Sequence, residues 1–326
     1  MSATREQSKP GPAGSRWTAE PVAVGLVGAG PWARVMHARM LSRGPETRLA
    51  GIWARNRDAA TALAAEVGTV AVDSYDELLD LCEAVDFAVP PDVQAHLAGQ
   101  AARAGKALML EKPLGLDLDQ ARRLADAVLT AAVSNILVLT KRFHPSTKAF
   151  LQDAWALRAQ GPIRGVLAAY LHGGLLADAT GRGPAVTPWR LEHGALLDLG
   201  PHLVDLVDAA AGSIRSVLGS GDSRTYLAVA TEHDGGTGQL ALSGAVQLDR
   251  SLTRVELFSD RGSLRWDTAD IDHDECWPVL RAEFAAAVRH GAPVTADVSR
   301  GLQLQLVLDA IERSLADRVR VPIRTD

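Results

Sequence analysis

From Pro21 onward, short apolar runs alternate with longer stretches whose apolar positions recur every three or four residues. The run VAVGLVGAG (22–30) reads as a buried strand, 32–44 as a helix, 48–54 as a strand, and 57–68 as a helix ending on Gly68. Helix 73–81, strand 84–90, helix 92–105, strand 106–112, helix 117–132 and strand 135–143 follow. Continuous apolar strands interleaved with amphipathic helices predict a parallel sheet covered on both faces, a doubly wound α/β domain over 20–142.

After Arg142 the rhythm changes. Residues 144–161 read as a helix, but 165–174, 224–233, 238–248, 252–260 and 262–267 are strand-like runs separated by turn signals. They predict an open, mainly antiparallel sheet in an α+β domain over 143–326, with helices at 194–212, 279–291 and 298–317. Residues 1–19, rich in Ser, Pro, Gly and charge, are expected to be a disordered tail.

Composition narrows the function classes. At 326 residues, two domains are the default, and 47% hydrophobic with 22% charged residues is a globular balance. No apolar run is long enough to cross a bilayer, so no membrane partner is expected. A net charge of −5 with dispersed Lys and Arg offers no stripe for a phosphate backbone, so nucleic acid is not an expected partner. Cys82 and Cys276 lack metal-ligand spacing and no metal is expected; without the apolar core of a signal peptide, the expected location is cytoplasmic.

The turn after the first strand, GAGPWA, sets Gly28, Gly30 and Ala33 as G-x-G-x-x-A between a strand and a helix. There the first glycine permits a tight turn, the second admits a pyrophosphate, and the small third residue lets helix pack on strand. Pro31 and Trp32 within the turn, and Pro90 and Glu111 at later strand ends, join these glycines as candidate dinucleotide contacts. An NAD site wants a carboxylate at the end of the second strand, where this chain has Ala54, Arg55, Asn56 and Arg57. Arg55 and Arg57 either grip a 2′-phosphate, which makes NADP(H) the expected cofactor over NAD(H), or are merely solvated at a helix start.

LMLEKPLG carries Lys112 to the carboxyl edge of a strand in the first sheet, where ligands of such sheets bind, and Pro113 admits a cis bond. A second group, Asp198, His202 and Asp205, falls at i, i+4 and i+7 within an apolar segment. On a continuous helix these make one polar stripe; Gly200-Pro201 would instead kink the helix or mark its start. A buried histidine paired to an aspartate for stability alone is the competing account.

Together GAGPWA, the EKP of 111–113, Arg142-Phe143, Trp189-Arg190 and D-x-x-x-H-x-x-D at 198–205 resemble the glucose-fructose oxidoreductase, inositol dehydrogenase and rhizopine-catabolism (Gfo/Idh/MocA) family, from about Pro21 to the C-terminus. The resemblance implies a Rossmann domain joined to an α+β domain for substrate binding and oligomerisation, in a homo-oligomer, dimer or tetramer. It implies hydride transfer between NAD(P) and a hydroxyl or ketone carbon of a sugar, inositol or sugar nucleotide. Lys112 matches the lysine that contacts the reacting oxygen and that also borders the cofactor, His202 the acid/base, and Asp198 the carboxylate completing the trio. Asp198 would fix the imidazole tautomer or bind a neighbouring hydroxyl. Arg142, Trp189, Arg190 and His193 are candidate substrate contacts, Glu192 with them. The missing second-strand carboxylate and the reduced glycine content of RLEHGALLDLG depart from the family pattern. Two other readings stand beside this one: an imine-type C=N reductase, and a redox-inactive dinucleotide-binding sensor.

Overall fold

The computed structural model describes residues 19–176, 187–269 and 271–324. The expected tail therefore lies outside the described residues except for its last position.

The first sheet is parallel, with strand order β2-β1-β3-β4-β5. Its strands are β1 (Val22–Val27), β2 (Thr47–Trp53), β3 (Ala84–Phe87), β4 (Ala107–Leu110) and β5 (Asn135–Leu137). Between them run α1 (Ala38–Ser42), α2 (Arg57–Val67), α3 (Tyr75–Leu81), α4 (Pro91–Arg103) and α5 (Leu118–Ala131). This is the expected Rossmann arrangement, whose order reverses beside β1. Alternation along β4 divides the core: Leu108 and Leu110 join Leu78, Ala98 and Leu124 on one face, while Ala107 and Met109 join Leu41 and Leu63 on the other. Residues 135–143, read as one strand, are not: β5 stops at Leu137 and Thr140–Phe143 forms a helical turn, α6.

After α7 (Pro145–Gln160) comes a second sheet of β6 (Ile163–Leu171), β7 (Ile214–Asp222), β8 (Tyr226–His233), β9 (Gly236–Ser243), β10 (Leu252–Ser259), β11 (Gly262–Asp267) and β12 (Val321–Pro322). Its order is β11-β10-β6-β9-β8-β7-β12. Neighbours are antiparallel except β6 with β9, which run parallel. α8 (Pro188–Ala211), β7 and β8 lie between them in the chain and supply the long connection that a parallel pair needs. β7 escaped the sequence reading since IRSVLGSGD interrupts its apolar alternation with Gly219, Ser220 and Gly221.

Two later helices tie the halves together. α9 (Cys276–His290) returns to the first sheet, where Cys276, Leu280 and Phe284 repeat at helical spacing and pack beside Ile136 and Val138. α10 (Val298–Asp317) spans the span predicted for it and lies against both α5 and β7.

The segment read as one helix over 194–212 begins at Gly194, which breaks α8 with φ 64° and ψ −150°. A Cβ there would lie 2.2 Å from the Ser223 carbonyl oxygen, so only glycine permits the contact. Beyond it the helix continues through Pro201. Asp198, His202 and Asp205 therefore do share one continuous helix.

A cleft for dinucleotide and substrate

A cavity of about 850 Å³ crosses the carboxyl ends of β1, β3 and β4. At its floor Gly28 adopts φ 122°, and a Cβ there would lie 2.4 Å from the Ala88 carbonyl oxygen. Gly30 is the opposite case: nothing lies within 4 Å of where its Cβ would be, so bare backbone faces open space. Pro31, Trp32 and Pro90 line the same space, and Ala33 is fully buried where the helix meets the sheet. These features fit a pyrophosphate, which needs backbone N–H groups it can approach closely.

At the far end the two predicted arginines part company. Arg55 lines the cavity. Arg57 turns away and pairs with Asp73. Asn56 spends its side chain as the N-cap of α2, accepting from Ala59 N–H at 3.0 Å. The guanidinium pair is thus reduced to one member.

At the other end, Lys112 Nζ donates to the Asp198 carbonyl oxygen at 2.8 Å and to its carboxylate Oδ1 at 3.0 Å. Arg190 Nε lies 3.1 Å from the same Oδ1. Burial disfavours the Asp198 carboxylate, but Lys112 and Arg190 together hold its pKa well below the usual range. The Lys112–Pro113 peptide bond is cis. His202 is buried, with its ring 6.2 Å from that of Tyr170. Burial first, then the positive charges of Lys112 and Lys141, push its pKa well below 6.5. Its Nδ1 has no hydrogen-bond partner among the described residues. Of the two roles expected for Asp198, fixing the imidazole tautomer or binding a neighbouring hydroxyl, the first has no hydrogen bond to His202 behind it here, since Lys112 and Arg190 both hold the carboxylate.

The predicted substrate contacts divide. Trp189 and Arg190 line the cavity, the guanidinium 4.5 Å above the indole ring. Arg142 does not: its Nη1 donates to the buried Asp205 at 2.9 Å, and Arg300 Nε binds the same oxygen at 2.8 Å. Asp205, the third member of the helical stripe, is accordingly a structural anchor. His193 is half-buried and Glu192 exposed, and neither lines the cavity. The break at Gly194 separates both from the helix that carries Asp198.

Several residues escaped the sequence reading. His172, just past β6, lines the cavity. Its Nδ1 accepts from Gly174 N–H at 2.8 Å, so the neutral ring carries its proton on Nε2. Lys141 is buried and donates to Tyr170 Oη at 3.0 Å. Behind the glycine turn, fully buried His37 bridges Asp86 Oδ2 at 2.8 Å and Glu111 Oε1 at 3.1 Å, and Trp32 Nε1 donates to the same Glu111 oxygen at 2.8 Å. Glu111 thus braces the turn and the EKP strand end in addition to bordering the cavity. The only signal for His37 was a histidine one turn beyond the glycine motif, which reads equally as packing.

Comparison with known proteins agrees with this geometry. Residues 22–136 match the model of the GFO_IDH_MocA family, an oxidoreductase family with an NAD-binding Rossmann fold. Inositol 2-dehydrogenase of Rhizobium meliloti (strain 1021) is 32% identical over 126 residues, 38% of this chain and 38% of that protein, so the match spans well under half of the relative. UDP-N-acetylglucosamine 3-dehydrogenase of Acidithiobacillus ferrooxidans is 29% identical over 250 residues, 73% of this chain and 71% of that one. The crystal structure of GenD2 from gentamicin A biosynthesis, in complex with NAD, has a TM-score of 0.84 at 25% identity, covering 97% of this chain and 100% of that chain.

Proposed function

We propose that this chain, whose residues 22–136 match the Gfo/Idh/MocA oxidoreductase model, transfers a hydride between a nicotinamide dinucleotide and a hydroxyl or ketone carbon of a sugar, inositol or sugar nucleotide. The observation that carries this reading is the Lys112–Asp198 pair at the end of the cleft, with His202, made neutral by burial and the nearby Lys112 charge, one turn further along the same helix behind the cavity lining.

The nicotinamide, when bound, supplies or accepts the hydride. The chain must manage the proton and charge on the substrate oxygen. In oxidation neutral His202 accepts the hydroxyl proton, and the Lys112 ammonium stabilises the alkoxide as it develops. Asp198, itself held by Arg190, fixes the direction of that ammonium through two contacts. Reduction follows the same path backward. Assaying NAD(P)H formation across inositols, sugars and sugar nucleotides tests the reading, and inertness toward every member with both dinucleotides would overturn it.

Arg55 at the adenosine end, with no carboxylate beside it, supports NADP(H) over NAD(H). One charge-assisted contact to a 2′-phosphate corresponds to a roughly tenfold preference or more. Fluorescence titration is expected to show NADPH binding that much more tightly, and Arg55→Ala should erase the difference while Arg57→Ala should not. Tighter NADH binding by the wild type would refute the assignment.

We propose further that the second sheet pairs copies of the chain. Its outward face exposes Leu167 (47%), Tyr226 (47%) and Phe258 (39%), an apolar surface at odds with a free monomer. Light scattering should give a dimer or tetramer, and Leu167→Glu with Phe258→Glu should give monomers. A monomeric wild type would remove the proposal.

A further inference from the structure

His172 follows the last residue of β6, and its backbone is held from both sides. Its N–H donates to the Ser243 carbonyl oxygen at 2.9 Å, and its carbonyl oxygen accepts from Val246 N–H at 3.2 Å. Side chains two apart on a strand share a face; the rings of Tyr170 and His172 meet edge to face with centres 5.7 Å apart. The Tyr170 ring also meets that of His202, at 6.2 Å. Of these three rings only His172 lines the cavity, in company with Lys112, Arg190 and Asp198.

The two ring nitrogens of His172 are in different positions. Nδ1 is committed to Gly174 N–H at 2.8 Å, which leaves the proton of the neutral ring on Nε2. Burial lowers the pKa of this half-buried histidine, and Lys141, Lys112 and Arg190 lower it further against the pull of Asp198. Nε2–H is therefore a donor at neutrality, and it meets no acceptor among the described residues. Its polar neighbours in the lining are engaged: both ends of the Gln94 amide bond the Glu111 backbone, and Asp198 is shared by Lys112 and Arg190. A histidine kept only to hold Gly174 would need Nδ1 alone, and a donor screened from water without an acceptor costs free energy.

We propose that His172 is a substrate-binding residue, a neutral imidazole whose Nε2–H donates to a hydroxyl or carbonyl oxygen of the substrate beside the Lys112–Asp198 pair. The ring offers a proton and has no free lone pair, so it selects an oxygen at that position over an ammonium group. The inference rests on the proposed dehydrogenase reading for its substrate class and adds a contact that sets specificity.

The test is calorimetric titration of the protein loaded with NADPH or NADH, so that hydroxyl substrates bind without turnover, using myo-inositol, glucose and UDP-N-acetylglucosamine. His172→Asn keeps an oxygen where Nδ1 accepts from Gly174 and removes the Nε2–H. His172→Gln instead sets an amide N–H near the Nε2 position. At least one ligand should bind His172→Asn about tenfold or more weakly than wild type, the scale of a lost donor to a paired oxygen, and His172→Gln should recover part of that loss. Tm and dinucleotide affinity of His172→Asn should stay at wild-type values, and in turnover KM should rise by more than kcat falls. Equal affinity of wild type and His172→Asn for every ligand overturns the inference, and the dehydrogenase reading stands where turnover persists. A loss that comes with a lower Tm or weaker dinucleotide binding also overturns it, because the ring then only supports its turn. Weaker binding by His172→Asn, with no dinucleotide reduction by the wild type on any ligand, sustains the contact and removes the dehydrogenase reading. Binding of none of the three ligands by the wild type overturns the inference outright.

Discussion

Alanine at Lys112 or at His202 is expected to lower turnover by about 10² or more, the scale of a lost oxyanion donor or general base. The two losses should differ in pH dependence. A base acts only when deprotonated, so oxidation rises as pH passes upward through the His202 pKa. Burial and the charges of Lys112 and Lys141 hold that pKa well below 6.5, so the ring is already neutral at neutrality and kcat/KM for oxidation should be flat there. Reduction needs the protonated ring and should fall as pH climbs past the same point. In His202→Ala the acid limb should vanish; in Lys112→Ala it should move up, because a positive charge beside the ring has gone. Near wild-type turnover in both variants, or an acid limb at or above 6.5 in the native protein, would contradict the assignment.

The parts of this site that local pattern could reveal were those set by backbone geometry. G-x-G-x-x-A announces itself because only glycine tolerates the Gly28 turn and only bare backbone leaves the Gly30 space open. Asp198 and His202 were legible because helical periodicity puts them on one face. What periodicity cannot convey is which distant charge a side chain will meet. Arg57 goes to Asp73, and Arg142 joins Asp205 with Arg300, contributed by a helix far along the chain. Each was read as a ligand contact because its partner lay in another element. The same limit applies to topology. β7 lacks clean alternation, and nothing local in CWPVLRAEFAAAVRH says that its apolar stripe crosses back to the first sheet. Lys141 was overlooked for a related reason: its burial follows from how β5, β6 and α8 come together.

The largest effect on stability is expected at His37. Burial alone would lower its pKa, but the Asp86 and Glu111 carboxylates outweigh it and raise the ring to about 10. Burial pushes Asp86 up against the pull of that imidazolium. It opposes ionisation of Glu111 too, but hydrogen bonds from His37 and Trp32 and the charge of Lys112 hold that carboxylate low. The ring therefore bears the proton at neutrality. His37→Ala strips this cation from two buried carboxyl groups, one of which, Asp86, is already short a partner at Oδ1. The expected cost is about 3–5 kcal/mol, or a Tm lower by roughly 5–10 °C. The sign of the pH effect follows from the raised pKa. The stabilisation is complete below 6.5, the unfolded value, declines above it, and is gone once pH passes the folded value of about 10. The gap in unfolding free energy between wild type and His37→Ala should accordingly narrow between pH 7 and about pH 10. A gap of the same size at both would mean a ring that is neutral in the folded protein. The activity of this variant should also suffer, because Glu111 Oε2 accepts from the Lys112 backbone N–H at 3.1 Å, and a displaced Glu111 shifts the strand end that aims the lysine.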